Sequence, residues 1–344
     1  MRARVAKCTL SRAFQLQPRI LHWLANPLLD LNYKFRFSEL LVHERQIAIE
    51  GSWGVLLSTA WEALRARQWI KNLFVLTPLL FARELQHPDQ VLRGFSAFAI
   101  FCVLSSAGYL VNDLLDAGQD RQHPLKALRP IPSGRLPATT ALAVAITLAV
   151  AGIAGALLLD AAFAAVAGAY LILTLAYSVR LKHIVVLDVM VLAIGFVLRV
   201  VAGAMVIHVQ ASHWLLLCTL LLGLFLGFSK RRHELVLLST ESPLHRPVLE
   251  HYSPDLLDHM NSIVMGATIV CYALYTVSPE TIQKFGTNKL IFSVPFVIYG
   301  LFRYLYLVRI QEGGGSPADT LLSDWPLMTS VLLWAVFCAA VIYV

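Results

Sequence analysis

Apolar runs close to twenty residues long, separated by short polar stretches, recur along almost the whole chain. A helix needs about 20 predominantly apolar residues to cross a bilayer. Windows near that length fall at about 69–83, 95–115, 138–159, 161–179, 184–206, 214–229, 262–278, 289–308 and 322–343. The pattern therefore predicts an all-α integral membrane protein with nine transmembrane helices. The first window is short and interrupted by Pro78, which suits a tilted or partly re-entrant segment. Residues 1–50 mix basic and apolar positions without the layout of a cleaved signal peptide. They are read as an N-terminal cytoplasmic or interfacial segment of unassigned role, and 51–344 as the transmembrane domain.

Composition narrows the class further. With 344 residues, 58% of them hydrophobic and 14% charged, the chain is too apolar for a soluble globule of this length. A net charge of +7 raises the question of nucleic acid, but the distribution of charge decides against it. Alternate loops are basic: Arg121, Lys126, Arg129 and Arg135; then Arg180 and Lys182; then Lys230, Arg231, Arg232 and Arg246; then Arg309. The intervening loops hold only Arg83, Arg93, Lys284 and Lys289. Basic residues collect on the cytoplasmic side of spanning segments. The first set is thus expected to face the cytoplasm from a cytoplasmic membrane, with the bilayer as a partner and no nucleic acid. The five cysteines, Cys8, Cys102, Cys218, Cys271 and Cys338, have neither metal-ligand nor redox spacing, which suits apolar packing.

Polar chemistry concentrates in Asn112–Arg135, NDLLDAGQDRQHPLKALRPIPSGR. On a helix, spacings of three and four place Asp113, Asp116 and Asp120 on one face, with Asn112 one turn before Asp116. Carboxylates so crowded need a compensating cation at a membrane helix end. Mg²⁺ bound to a phosphorylated substrate would serve, because it favours a few carboxylates plus phosphate oxygens. A solvated, charged helix end is the plainer alternative. A second polar focus, Ala176–Ala204, carries Tyr177, Arg180 and Lys182 at a short turn and Asp188 about one and a half turns into the following helix. Arg199 lies eleven residues beyond Asp188 on the same face, about 16 Å along the axis. A charge so deep in an apolar run faces a carboxylate partner or an anionic ligand. Lys71, beside Trp69 and Asn72, is either an interface anchor or a phosphate ligand, and Lys230 opens a basic cluster that either sets topology and attracts anionic lipid or binds phosphate. His245, His251 and His259 lack metal-ligand spacing and read as solvated loop residues. Carboxylates for a divalent cation and cations for phosphate together suit a diphosphate substrate whose pyrophosphate departs.

The motifs resemble those of a known family. NDLLD with Asp120 matches NDxxDxxxD of the UbiA-type membrane prenyltransferase superfamily. That resemblance implies nine helices around a cytoplasm-facing central cavity that holds Mg²⁺ and a diphosphate. The decaprenyl-phosphate phosphoribosyltransferase branch is similar in four further stretches: RxRQWxKN at Arg65–Asn72, DRxHPxKxxRPIxxG at Asp120–Gly134, YSxxLKxxxxLD at Tyr177–Asp188 and GFxLRxxAG at Gly195–Gly203. The wider superfamily carries a second acidic motif, DxxxD, whereas here the fourth residue after Asp188 is Leu192. The departure favours a sugar diphosphate over a prenyl diphosphate. The resemblance implies transfer of 5-phosphoribose from phosphoribosyl diphosphate to a polyprenyl phosphate, within the supply of arabinose-type cell-envelope precursors. It assigns Asn112, Asp113, Asp116 and Asp120 to Mg²⁺, with Asp113, Asp116 and Asp188 as the catalytic acids. Arg121, Lys126, Arg129, Tyr177 and Lys182 would hold the donor, and Lys71 and Arg199 the lipid phosphate. Two other readings are an aromatic prenyltransferase and, in another class, a transporter or lipid-binding membrane protein. A homo-oligomer is left open.

Overall fold

The computed structural model describes residues 53–122, 126–239, 247–310 and 316–344. The N-terminal segment 1–50 and the Gly313–Gly315 connector lie outside them. Residues 59–344 form one compact unit; of the other, 1–58, only the first half of a helix is described.

The helices are α1 (Trp53–Leu64), α2 (Thr77–Phe81), α3 (Pro88–Asp120), α4 (Ala138–Leu159), α5 (Ala161–Val179), α6 (Leu187–Val206), α7 (His213–Ser239), α8 (Pro254–Val277), α9 (Pro279–Phe285), α10 (Val294–Ile310), α11 (Pro317–Ser323) and α12 (Trp325–Tyr343). Their ends follow from local chemistry. Proline occupies the first turn of α3, α8, α9, α11 and α12, where its missing N–H costs nothing. Asp160 caps α5 by accepting from the Phe163 N–H at 2.7 Å, and Ser253 caps α8 from Leu256 at 3.1 Å. Among the described residues, eight helices are long and apolar enough to cross a membrane, which makes this an all-helical integral membrane protein.

The first expected span comes out differently. Residues Ala66–Leu76 form a 3₁₀ helix that runs directly into α2, and this stretch is not among the eight. Pro78 falls in the first turn of α2 and so interrupts nothing. Eleven residues rising about 2.0 Å each and five rising about 1.5 Å give roughly 30 Å, a bilayer's apolar thickness in only sixteen residues.

Helix α3 is the axis of the unit, packed against α4, α5, α6 and the 3₁₀ segment. Its 33 residues span about 50 Å, so one end must project beyond the hydrocarbon. Its C-terminal end carries Asp113, Asp116 and Asp120. Helix α7 approaches α6 closely through glycine: a Cβ on Gly223 would stand 2.8 Å from Ala193 Cα. Small residues allow such backbone proximity where no hydrophobic force drives helices together in lipid. Gly203 of α6 faces the 3₁₀ segment, where a Cβ would lie 1.9 Å from the Val75 carbonyl oxygen. The cysteines of the described chain are free; Cys218 of α7 meets Cys271 of α8 with sulfurs 3.6 Å apart, a proximity their spacing does not reveal.

Candidate active site

Each carboxylate at the end of α3 is buried and has a cation against it. Asp113, Asp116 and Asp120 are 4, 8 and 4% exposed. Arg129 bridges two of them, its Nη1 donating to Asp120 at 2.7 Å and to Asp113 at 3.2 Å. Arg65 also pairs with Asp113, and its guanidinium stands 5.2 Å from the Tyr109 ring centre. Lys182 donates to Asp116, which accepts from the Asn112 amide at 3.1 Å as well. The Lys126 ammonium lies 4.0 Å from Asp120. Burying three acids is tolerable because every one is matched.

The cations come from three separate turns. Arg65 sits between α1 and the 3₁₀ segment with φ 53°, a left-handed conformation that a residue with a side chain adopts only at a cost of about 1–3 kcal/mol. Lys126 and Arg129 belong to the α3–α4 connection, which Arg135 fastens through a two-pronged contact with Glu62 at 2.8 and 3.0 Å. Lys182 belongs to the short turn between α5 and α6. The Lys182–Asp116 pair joins the two polar foci of the sequence.

Asp188, expected among the catalytic acids, is held in a closed network of its own. It is fully buried, accepting from Arg231 Nε at 2.5 Å and from the Tyr252 hydroxyl at 2.9 Å. Arg231, also fully buried, donates to the Tyr177 hydroxyl at 2.8 Å and to Glu234 at 2.5 Å. Tyr252 accepts in turn from the N–H of Val186, whose φ of 65° marks a strained turn. Burial pushes the Tyr252 phenol up to about 12, so it remains a donor across the physiological range. The network ties α5, the start of α6, the end of α7 and the segment before α8, and thereby fixes the turn that carries Lys182.

Arg199 forms a third cluster deeper in the bundle. It donates to Asn72 Oδ1, the Gly195 carbonyl and the Tyr170 hydroxyl, each at 2.8 Å, with the Tyr170 ring 4.6 Å away. These partners are neutral, so the carboxylate pairing that the sequence allowed is not what holds it. Asn72 is itself fully buried and donates to Ser105 at 3.1 Å. Neighbouring Lys71 makes no hydrogen bond or ion pair among the described residues.

Arg121 is exposed and donates to the Pro132 carbonyl at 3.3 Å. Lys230 lies 3.8 Å from Glu234. The site residues the sequence did not single out are Arg65, Arg231 and Tyr252. Arg65 opens the RARQWIKN stretch and Arg231 follows Lys230, so both stood inside noted motifs; Tyr252, in a polar loop, gave no signal.

Among the described residues no three His, Cys, Asp or Glu side chains converge as a ready metal cage. That does not disqualify Mg²⁺, which takes one or two carboxylates and completes its shell with water and phosphate oxygens. Hard oxygen donors, buried on one face and balanced by side-chain cations, fit such an ion.

The described residues thus make a helical membrane protein with buried acids at the end of one long helix, interlaced with cations from neighbouring turns. The chain belongs to the UbiA prenyltransferase family, whose model matches residues 72–234. It is 34% identical to the decaprenyl-phosphate phosphoribosyltransferase of Mycolicibacterium smegmatis, over 84% of this chain and 93% of that one. The enzyme of the same name from Corynebacterium glutamicum is 35% identical, over 80% and 84%. In fold, the chain resembles a UbiA homolog from Archaeoglobus fulgidus solved with GPP and Mg²⁺, with a TM-score of 0.62 at 18% identity, covering 83% of this chain and all of that one.

Proposed function

We propose that this protein transfers 5-phosphoribose from phosphoribosyl diphosphate to a decaprenyl-like polyprenyl phosphate, releasing pyrophosphate. The observation that carries the reading is the 34% identity to a decaprenyl-phosphate phosphoribosyltransferase across 93% of that enzyme. The interlaced acids and cations at the end of α3 supply the matching chemistry, and the lone acid Asp188, sequestered by Arg231, leaves no second acidic motif for a prenyl diphosphate.

In this reading Asp113 and Asp116 hold Mg²⁺, with Asn112 and Asp120 supporting them. When bound, that ion neutralises charge on the departing diphosphate. Arg65, Lys126, Arg129 and Lys182 contact the donor's phosphates, and Tyr177 and Asp188 act through Arg231 as positioning residues. Lys71 and Arg199 receive the lipid phosphate, and the polyprenyl chain lies against apolar helix faces. A phosphate oxygen of the acceptor attacks the anomeric carbon as its bond to pyrophosphate breaks. The acceptor phosphomonoester has a second pKa of about 6, so near neutrality it attacks without a general base. Catalysis is then mainly positioning and stabilisation of charge. The 3₁₀ segment and α2 make the ninth crossing, with the site facing the cytoplasm.

Asp113→Asn and Asp116→Asn are expected to abolish formation of radiolabelled polyprenyl product from labelled donor while the protein still purifies as a folded species. Undiminished turnover in both variants sinks the metal assignment.

A further inference from the structure

Arg65 has an unusual combination of features. Its backbone is held in the left-handed region, its side chain is partly exposed at 24%, and its partner Asp113 is buried at 5% side-chain exposure. Asp113 has a second cation, Arg129, at 3.2 Å, which also serves Asp120 at 2.7 Å. Arg65 and Arg129 thus share two carboxylates, and the guanidinium that serves Asp113 alone retains access to solvent. A divalent cation approaching Asp113 meets a site already filled by guanidinium; a diphosphate approaching alone meets guanidinium groups already committed to carboxylates. Each ligand's arrival frees the groups the other requires.

We propose that Arg65 is an exchangeable counter-ion: it neutralises Asp113 while no divalent cation is present and transfers to a phosphate oxygen of the donor when a cation takes Asp113, so that cation and diphosphate bind as a coupled pair. This rests on the reading of Asp113 as a metal ligand. The partial exposure of the Arg65 side chain gives the exchange a physical basis, because a guanidinium that already reaches solvent leaves its carboxylate at less cost than a fully buried one. Arg129 remains on Asp120 during the exchange and keeps the α3–α4 connection in position. Coupling of this kind is reciprocal: whatever factor diphosphate adds to cation affinity, the cation adds to diphosphate affinity.

The test is Mn²⁺ binding to the full chain in nanodiscs, followed by electron paramagnetic resonance, with and without inorganic pyrophosphate. Wild type is expected to bind Mn²⁺ about tenfold more tightly when pyrophosphate is present, within the ordinary range of coupling between sites. In Arg65→Gln, Mn²⁺ alone should bind several-fold more tightly than in wild type, because its competitor is gone, and pyrophosphate should add much less. A residue with a merely structural role would weaken cation binding or leave it unchanged. Should Arg65→Gln fail to fold, Arg65→Lys, which keeps the charge but lacks the planar fork that grips a carboxylate, is expected to move Mn²⁺ affinity in the same direction by a smaller factor. Mn²⁺ binding by wild type with no gain in the folded variant overturns the exchange alone. Absence of Mn²⁺ binding by wild type in either condition overturns both the exchange and the metal reading beneath it.

Discussion

Asp188 and Asp113 show how differently two acids can be employed. Asp188 and its partner Arg231 are both fully buried, whereas Asp113 has a partly exposed partner in Arg65. Removing one member of a buried pair strands the other charge away from water, at about 3–5 kcal/mol. Arg231→Met should therefore lower the thermal midpoint of the detergent-solubilised protein markedly, and adding Asp188→Asn should restore part of the loss. An unchanged midpoint in the single variant contradicts the network. Asp113→Asn is expected to do the reverse, removing activity with little effect on stability, because the stranded guanidinium of Arg65 can turn to solvent. The two substitutions separate groups that position from groups that bind.

Between elements, the contact with most consequence is that of α6 with the 3₁₀ segment. Gly203→Ala would drive a methyl group into the Val75 carbonyl, a backbone atom that cannot rotate aside. Overpacking of this kind costs about 1–3 kcal/mol. Because the segment also carries Lys71 and Asn72, the variant should lose both thermal stability and turnover, whereas Gly118→Ala, which meets nothing within 4 Å on α3, should change neither. Equal behaviour of the two variants contradicts the close approach. Much of the helical layout was legible in the sequence: apolar runs locate the eight long helices, and the three- and four-residue spacing of Asp113, Asp116 and Asp120 places them on one face. The 3₁₀ character of Ala66–Leu76 was not, since a mostly apolar run reads the same with 3.0 or 3.6 residues per turn. Nor were the partners of those acids legible. Arg65 lies 48 residues from Asp113 and Lys182 lies 66 from Asp116, so only the folded chain pairs them. The apolar run places Asp188 about one and a half turns into its helix, whereas α6 begins at Leu187, and Arg231, which occupies Asp188, stood in a cluster whose ordinary role is to set topology.

The whole molecule presents its interlaced acids and cations beside the basic loops, and this sets an expectation for membrane orientation. In a background with the native cysteines replaced by serine, Ser133→Cys should react with an impermeant thiol reagent only in inside-out vesicles, and Asn288→Cys only in intact spheroplasts. The opposite pattern would invert the topology. Membership of the UbiA family fixes the architecture, but the donor is what distinguishes this chain's proposed chemistry from prenyl transfer. The decisive measurement is therefore donor choice: purified protein in nanodiscs with Mg²⁺ and decaprenyl phosphate, offered labelled phosphoribosyl diphosphate in one arm, with prenyl diphosphate and an aromatic acid in the other. Labelled phosphoribosyl lipid and pyrophosphate in the first arm alone is the expected result. A prenylated aromatic product, with no label reaching the lipid from phosphoribosyl diphosphate, would contradict it.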